Sequence, residues 1–379
     1  MEHILLISLL VVVSIQMIYL LFVFSRTAFY TDSSDTKITD KAPGVSIIVA
    51  SWNELENLQE LLPLLDSQEY ADFEIIVVDD RSTDGSYDYL LQESDTFRHV
   101  RFLRVEQTPR HITAKKYALT LGIKAAYKEI ILVTDADCRP TSNHWISLMM
   151  SQLADDKSLV LGFSPYYRLT GFLNAFIRFE TFYTAMQYIS LALAGSAYMG
   201  VGRNMMYRKS LFFDNKGFHS HQGILGGDDD LFVNEVATSD NAAVCINTDS
   251  FVYSAPKTTW KEWYWQKRRH LFVGKQYRFK NKVILGVLSF SHILSWLLFL
   301  ILLPMALLHL ENSTFVSWVG GAFGIRWLLF WLIMGLGNRK LGSTIGWFSI
   351  PLFDFLYAVY YFVFGFITLF SRRKMVQWK

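Results

Sequence analysis

Cysteine is nearly absent. Cys138 and Cys245 are the only two in 379 residues. Two give no disulfide framework and no metal-ligand spacing, so a reduced, cytosol-facing compartment is expected. An excess of one charge is also missing. With 36 basic and 34 acidic residues the net charge is +2, which excludes a bulk field for nucleic acid. No serine–histidine or cysteine–histidine arrangement offers a nucleophile. The first apolar run has no basic segment before it and no small-residue cleavage site before Ser25-Arg26. A retained anchor is therefore expected in place of a cleaved signal peptide. What the chain has in excess is apolar surface: 51% hydrophobic and 16% aromatic residues, concentrated at the two ends.

Ile4 to Phe24 is long enough to cross a bilayer, as are Val283–Leu310, Phe315–Gly337 and Ile345–Phe370. The expected organisation is an anchor over 1–26, a polar linker over 27–43 and an enzyme domain over 44–280. A transmembrane or re-entrant region over 281–371 and a basic tail over 372–379 follow. Arg26 behind the first run favours a multi-pass protein of the cell membrane with the enzyme domain cytoplasmic. Four crossings would then leave Arg372-Arg373-Lys374 outside, against the positive-inside tendency. Pro351 and Asp354 point to a re-entrant or interfacial last segment. The aromatic-rich stretch from Tyr166 to Met199 reads either as an interfacial helix or as a core helix of the enzyme domain.

Between the apolar ends, strands alternate with helices. Val45–Ala50, Phe73–Val78, Val100–Val105 and Glu129–Thr134 read as strands, and Ala114–Tyr127 as a helix. Asn53 can cap the helix after the first strand, with Glu56 completing a capping box. The alternation implies an α/β fold with a mainly parallel, doubly wound sheet, whose ligands sit beyond the carboxyl ends of the strands.

The fourth strand runs into Asp135-Ala-Asp137. Alternation on an extended backbone puts both carboxylates on one side, roughly 7 Å apart along the strand. Two such groups can serve one hard cation and a phosphate-bearing ligand. Asp79 and Asp80 end the second strand, so one cleft could collect four carboxylates. Lys115, Arg81, Arg203 or a metal cation would have to balance them.

Taken in order, Val45-Ser-Ile-Ile-Val-Ala-Ser-Trp-Asn-Glu54, Val78-Asp-Asp-Arg-Ser-Thr-Asp-Gly-Ser86 and Asp135-Ala-Asp137 resemble the nucleotide-sugar half of family-two glycosyltransferases of GT-A fold. Gly226-Gly-Asp-Asp-Asp-Leu231 resembles their acceptor-side acidic motif. Gln266-Lys-Arg-Arg-His270 resembles the Gln-x-x-Arg-Trp motif of membrane-integrated members that make polysaccharides or glycosylate lipids. The similarity covers roughly residues 44–280.

The resemblance implies an inverting, metal-assisted transfer, with Mg2+ or Mn2+, from a nucleotide sugar (a UDP-sugar first) to a lipid or glycan hydroxyl. It assigns donor contacts to Ser51, Asn53, Glu54, Asp79, Asp80, Lys115, Asp135, Arg203 and Asn204, and the metal to Asp137. Asp80 would bond the uracil, and Lys115 the diphosphate, with Lys116 an equally charged neighbour. Asp228 would be the general base, with Asp229 the alternative if the glycine pair slips by one. Gln266, Arg269 and His270 would serve acceptor and diphosphate, His270 standing where relatives have tryptophan. Trp260, Trp263 and Trp265 could add an aromatic platform. Trp52 stands where relatives often have arginine, which removes one donor contact. Three C-terminal apolar segments are few for a polymer-conducting channel, so single transfer is preferred to processive synthesis. A non-catalytic nucleotide-sugar sensor or scaffold is the alternative from another class.

Overall fold

The computed structural model describes residues 2–31, 43–308 and 313–370. Most of the expected linker and the whole basic tail lie outside the described residues. The chain divides into two compact units. One comprises Met1–Tyr30, Arg178–Ser190 and Tyr277–Lys374, the other Thr31–Ile177 and Leu191–Gln276.

Among the described residues of the first unit, four helices are long and apolar enough to cross a membrane: Glu2–Ala28, Phe279–Leu308, Ser313–Lys340 and Trp347–Ile367. Leu9, Val12 and Val13 pack with Leu298, Leu302, Ala306, Phe315 and Val319. Ile4, Ile7, Phe290, Ile325 and Phe362 remain exposed, as lipid-facing side chains would be. The last apolar stretch folds as one continuous helix, Ile350–Phe370, which contains both Pro351 and Asp354. Pro351 sits in the first turn, where the missing N–H has no helical acceptor to lose. Asp354 is fully buried but paired: Arg326 grips it with both terminal nitrogens, one at 2.9 Å, and His292 Nε2 lies 2.9 Å from Oδ1.

Among the described residues, the second unit is built on nine strands: β1 (Val45–Ser51), β2 (Phe73–Asp79), β3 (Val100–Arg104), β4 (Ile130–Asp135), β5 (Cys138–Pro140), β6 (Leu159–Gly162), β7 (Met205–Arg208), β8 (Ala242–Cys245) and β9 (Val252–Ser254). Seven form one sheet in the order β3-β2-β1-β4-β7-β6-β8, and β5 pairs with β9. The first four strands are parallel, as their βαβ connections require. β7 runs antiparallel to both β4 and β6, so the sheet is mixed and mainly parallel, as expected. β1 and β2 are apolar on both faces and buried along almost their whole length. That is the pattern of strands covered by helices on either side.

The order turns back between β1 and β4, which is the crevice where α/β sheets bind ligands. In register, Ser51 lies beside Asp79, and Ala50 beside Asp135. The carboxyl ends of β2, β1 and β4 thus make one edge.

The aromatic stretch resolves into helix Phe172–Leu193. On it Phe176, Phe179, Phe182, Tyr183 and Tyr188 are all buried. Its residues 178–190 belong to the first unit and its two ends to the second.

Candidate active site

Lys115 organises the site. It stands in the first turn of helix Ala114–Ala125, and its Nζ lies 2.7 Å from Asp135 Oδ1 and 3.1 Å from Asp228 Oδ2. One ammonium therefore joins a strand end to a loop far away in sequence, and holds the two carboxylates within about 6 Å of each other. Desolvation lowers the lysine pKa, but Asp135, Asp228 and Asp229 outweigh it, so the ammonium titrates well above its ordinary value.

The two candidate bases differ in their surroundings. Burial works against ionised Asp228, yet the Lys115 charge and its hydrogen bond prevail and hold the carboxyl below its usual value. Asp229 is pushed up, first by burial and then by the charge of Asp228. Both Asp229 oxygens are occupied: Oδ2 accepts from the Gly202 amide at 2.8 Å, and Oδ1 from the Asp230 amide at 2.8 Å. Asp229 is the N-cap of helix Asp230–Val236, whereas Asp228 faces Lys115.

Asp135 and Asp137 lie closer together than extended alternation predicts. β4 ends at Asp135, and the chain turns through Ala136 and Asp137 before β5 begins. Ligand atoms of Asp135, Asp137 and Cys138 consequently fall within 4.8 Å of one another. The Cys138 thiol donates to Asp137 Oδ1 at 3.3 Å. Burial, then Asp137 and Asp135, push its pKa well up, so it stays protonated and is no ligand for a hard cation. Two partly exposed carboxylates remain, a donor set that suits Mg2+ or Mn2+ completed by phosphate oxygens.

The four carboxylates lie along the carboxyl edge of β2, β1 and β4. Asp79 and Asp80 lie two strands from Asp135, about 10 Å at ordinary strand spacing. Asp80 accepts from Arg81 Nε at 2.9 Å. Asp79 is fully buried beside Ser82, whose hydroxyl and amide favour its ionised form, and Ser51 Oγ has no hydrogen-bond partner. Burial raises the Asp79 pKa. Glu54 senses the Asp137 and Asp135 charges, and its pKa is raised, chiefly by burial.

The capping box does not form. Asn53 adopts φ +56° and turns to the neighbouring loop, where its Oδ1 accepts from the Thr83 amide at 2.8 Å and its own amide donates to Ser82 Oγ at 2.8 Å. The start of helix Leu55–Asp66 is capped from across the loop, with Leu55 N–H donating to Asp84 Oδ2 at 2.9 Å. Asn53 and the Asp84 loop thus brace each other beside the site. Trp52 is 39% exposed.

Arg203 is no plain surface arginine. Its guanidinium lies 4.6 Å from the centre of the Tyr166 ring, and it feels the charges of Asp137 and Asp135. Tyr166 OH also accepts from Gln266 Nε2 at 3.2 Å. His270 is exposed on the same helix, Trp260–Gly274, with the charges of Lys267, Arg269 and Arg203 acting on it. Gln266 and Arg203 therefore gather around Tyr166, a residue that sequence reading saw only as one aromatic in a run. Arg269 packs near Gly226.

Asn204 departs from the expected donor contact. It is fully buried, its Nδ2 donates to the Phe163 and Ser250 carbonyls, and its Oδ1 accepts from Trp145 Nε1. It braces the floor under Arg203. Among the three tryptophans, Trp263 is buried edge-on against Phe176, Trp260 touches Phe172 and Phe176, and Trp265 lies beside Arg268.

Comparison with known proteins follows the same lines. Residues 46–214 match the family model described as Glycosyl transferase family 2. Glycosyltransferase AglE of Haloferax volcanii is 25% identical over 193 residues, which are 50% of this chain and 60% of that protein. A dolichol-phosphate mannosyltransferase of Mycosarcoma maydis is 31% identical over 131 residues, 33% of this chain and 43% of that one. A poly-beta-1,6-N-acetyl-D-glucosamine synthase of Staphylococcus epidermidis is 33% identical over 94 residues, 25% and 22% of the two chains. This chain thus spans 60% or less of the length of each of these curated relatives. Among solved structures, mannosyltransferase PcManGT from Pyrobaculum calidifontis, in complex with GDP-Man and Mn2+, superposes with a TM-score of 0.58. It is 17% identical, over 90% of this chain and 99% of that one. At that identity the likeness is one of fold.

Proposed function

From the match of residues 46–214 to the glycosyl transferase family 2 model, we propose that the chain is a membrane-embedded, inverting glycosyltransferase using Asp228 as general base. One observation carries the reading. A single ammonium, that of Lys115, joins Asp228 to the carboxylate at the end of β4, so an acceptor-side base and a donor-side acid share one site.

The donor is a nucleotide sugar, a uridine diphosphate sugar in the first instance. Ser51, Asp79 and Asp80 at the ends of β1 and β2 are suited to its nucleoside end. Ser51 Oγ, which has no partner, would gain one there. About 10 Å along the edge, Lys115 and Arg203 are the cations available to the diphosphate. Asp137, with Asp135, would hold Mg2+ or Mn2+, which when bound neutralises charge on the departing diphosphate.

The acceptor is a hydroxyl of a lipid or a short glycan. Its oxygen forms a bond to the anomeric carbon from the face opposite the diphosphate. The sugar–phosphate C–O bond breaks with its electron pair going to the nucleoside diphosphate. The hydroxyl proton passes to the Asp228 carboxylate, and the anomeric configuration inverts. In the resting site Lys115 keeps Asp228 ionised, and when the donor arrives the lysine can turn from the aspartate to phosphate oxygen. Gln266, His270, Arg269 and Tyr166 are the groups for the acceptor side. Four apolar helices support a multi-pass membrane location. Arg26 and the Arg339-Lys340 end of Ser313–Lys340 support a cytoplasmic active site.

The test is a panel of nucleotide sugars, GDP-mannose included, read first by thermal shift with Mn2+ and then by release of nucleoside diphosphate. Asp228→Asn is expected to lower turnover by about 10²- to 10⁴-fold while sparing donor binding. Full activity in Asp228→Asn together with its loss in Asp229→Asn would transfer the role to Asp229. Binding without turnover in the unaltered protein would make the chain a sensor.

A further inference from the structure

Two lysines stand side by side at the start of helix Ala114–Ala125, and a helical step of about 100° sends them to different places. Lys115 enters the carboxylate cluster. Lys116 is fully buried, and its Nζ donates to the carbonyl oxygens of His221 at 2.7 Å and Ile224 at 2.8 Å. A third bond ties the same two segments together, the Thr113 amide donating to the Gln222 carbonyl at 2.9 Å. Carbonyls 221, 222 and 224 are thereby fixed to the start of the helix that carries Lys115.

From Ile224 the chain reaches Asp228 through Leu225, Gly226 and Gly227. Both glycines have positive φ, +79° and +75°, which an ordinary side chain would resist. On the far side, Asp229 is held by the Gly202 amide. Asp228 therefore sits between two clamps, and Lys116 is the upstream one. Its surroundings do not call for a cation as such. No carboxylate lies within ion-pairing distance of Nζ among the described residues, and Asp228, Asp229 and Glu235 act on it only through space. Three N–H groups on one flexible stem let it hold two carbonyls at once, which no apolar side chain of similar length can do.

We propose that Lys116 is the positioning residue for the Asp228 loop, pinning residues 221–224 so that Asp228 is presented to Lys115 and Asp135. The inference rests on the reading of Asp228 as base. It divides the lysine pair into one residue that meets charge in the site and one that sets where the base stands.

The experiment uses the full chain in detergent and compares Lys116→Met with Lys124→Met, a change at an exposed position of the same helix. In Lys116→Met, amides 221–228 are expected to exchange with deuterium about tenfold faster while Val45–Ser51 keeps its protection. Turnover should fall about tenfold or more with the donor KM within about twofold, the split expected of a misplaced base and not of a damaged donor site. Lys124→Met should change neither. Unchanged exchange at 221–228, or kcat and donor KM worsening together, would overturn the proposal. If Lys116→Met exposes Val45–Ser51 as well, Lys116→Gln carries the same expectations at about threefold, since its amide still donates two N–H bonds. The exchange measurement needs no substrate. It decides the role of Lys116 even where the unaltered protein turns over no sugar, the result that would sink the functional reading instead.

Discussion

Arg326 and Asp354 are both fully buried within the unit of apolar helices, and removing one of them tests how that unit is held together. Arg326→Met strips Asp354 of its bidentate partner. His292 Nε2 at 2.9 Å and Trp296 Nε1 at 3.1 Å still reach the carboxylate. The loss therefore belongs near the lower end of the 3–5 kcal/mol typical of a broken buried pair, about 3 kcal/mol. Gln16 Oε1 also loses the donor that Arg326 gives it at 3.3 Å, which adds about 1 kcal/mol. Together, about 4 kcal/mol corresponds to a drop of roughly 10 °C in the thermal midpoint. Asp354→Leu alone should cost a similar amount, by leaving the guanidinium unpaired. The double variant Arg326→Met/Asp354→Leu removes both charges and should recover most of the loss, because a buried pair replaced by packed apolar groups is often near neutral. The assay is thermal unfolding in detergent of the unaltered protein and the three variants. Additive losses, with the double variant worst, would refute the claim that the two side chains act as one neutralised pair.

Three further outcomes follow from the site. Lys115→Met should weaken donor binding about tenfold or more, as one charge-assisted contact to diphosphate is lost; titration calorimetry with Mn2+ present checks it, and an unchanged affinity would remove Lys115 from the donor site. Gly227→Ala places a Cβ 2.7 Å from Leu231 Cγ at φ +75°. Strain and overpacking should displace Asp228 and cut kcat about tenfold or more, whereas Gly286→Ala, whose Cβ meets open space, should leave kcat unchanged. Burial lowers the Lys116 pKa to about 8 from 10.5. The unfolded chain therefore holds that proton between pH 8 and 10.5 where the folded one does not, and stability from this group rises with pH across the window. The thermal midpoint of the unaltered protein, minus that of Lys116→Met, should climb between pH 8 and 10.

Several expectations were legible because one local rule settled each of them. The first four strands are apolar runs closed by turn residues, and each appears within a residue of its expected bounds. The four apolar helices follow from length and hydropathy alone. The later strands are only three or four residues long, too short for alternation to show, so β7 and its reversal of direction went unseen. The capping box failed for a related reason. Asn53 and Glu56 had the right spacing, but Asp84 reached the helix start first.

By itself the sequence determined the α/β alternation, the placing of acidic residues at strand ends and the apolar helices that enclose the enzyme domain in the chain. These depend on periodicity and on the length of apolar runs, which are properties of neighbouring residues. Tertiary structure alone decided which of two adjacent lysines meets the carboxylates, which of two adjacent aspartates is spent as a helix cap, and that Asp354 has Arg326 to neutralise it. Each of those outcomes depends on a partner tens to more than a hundred residues away, and nothing in the local pattern around a charged side chain says where its counter-charge will come from.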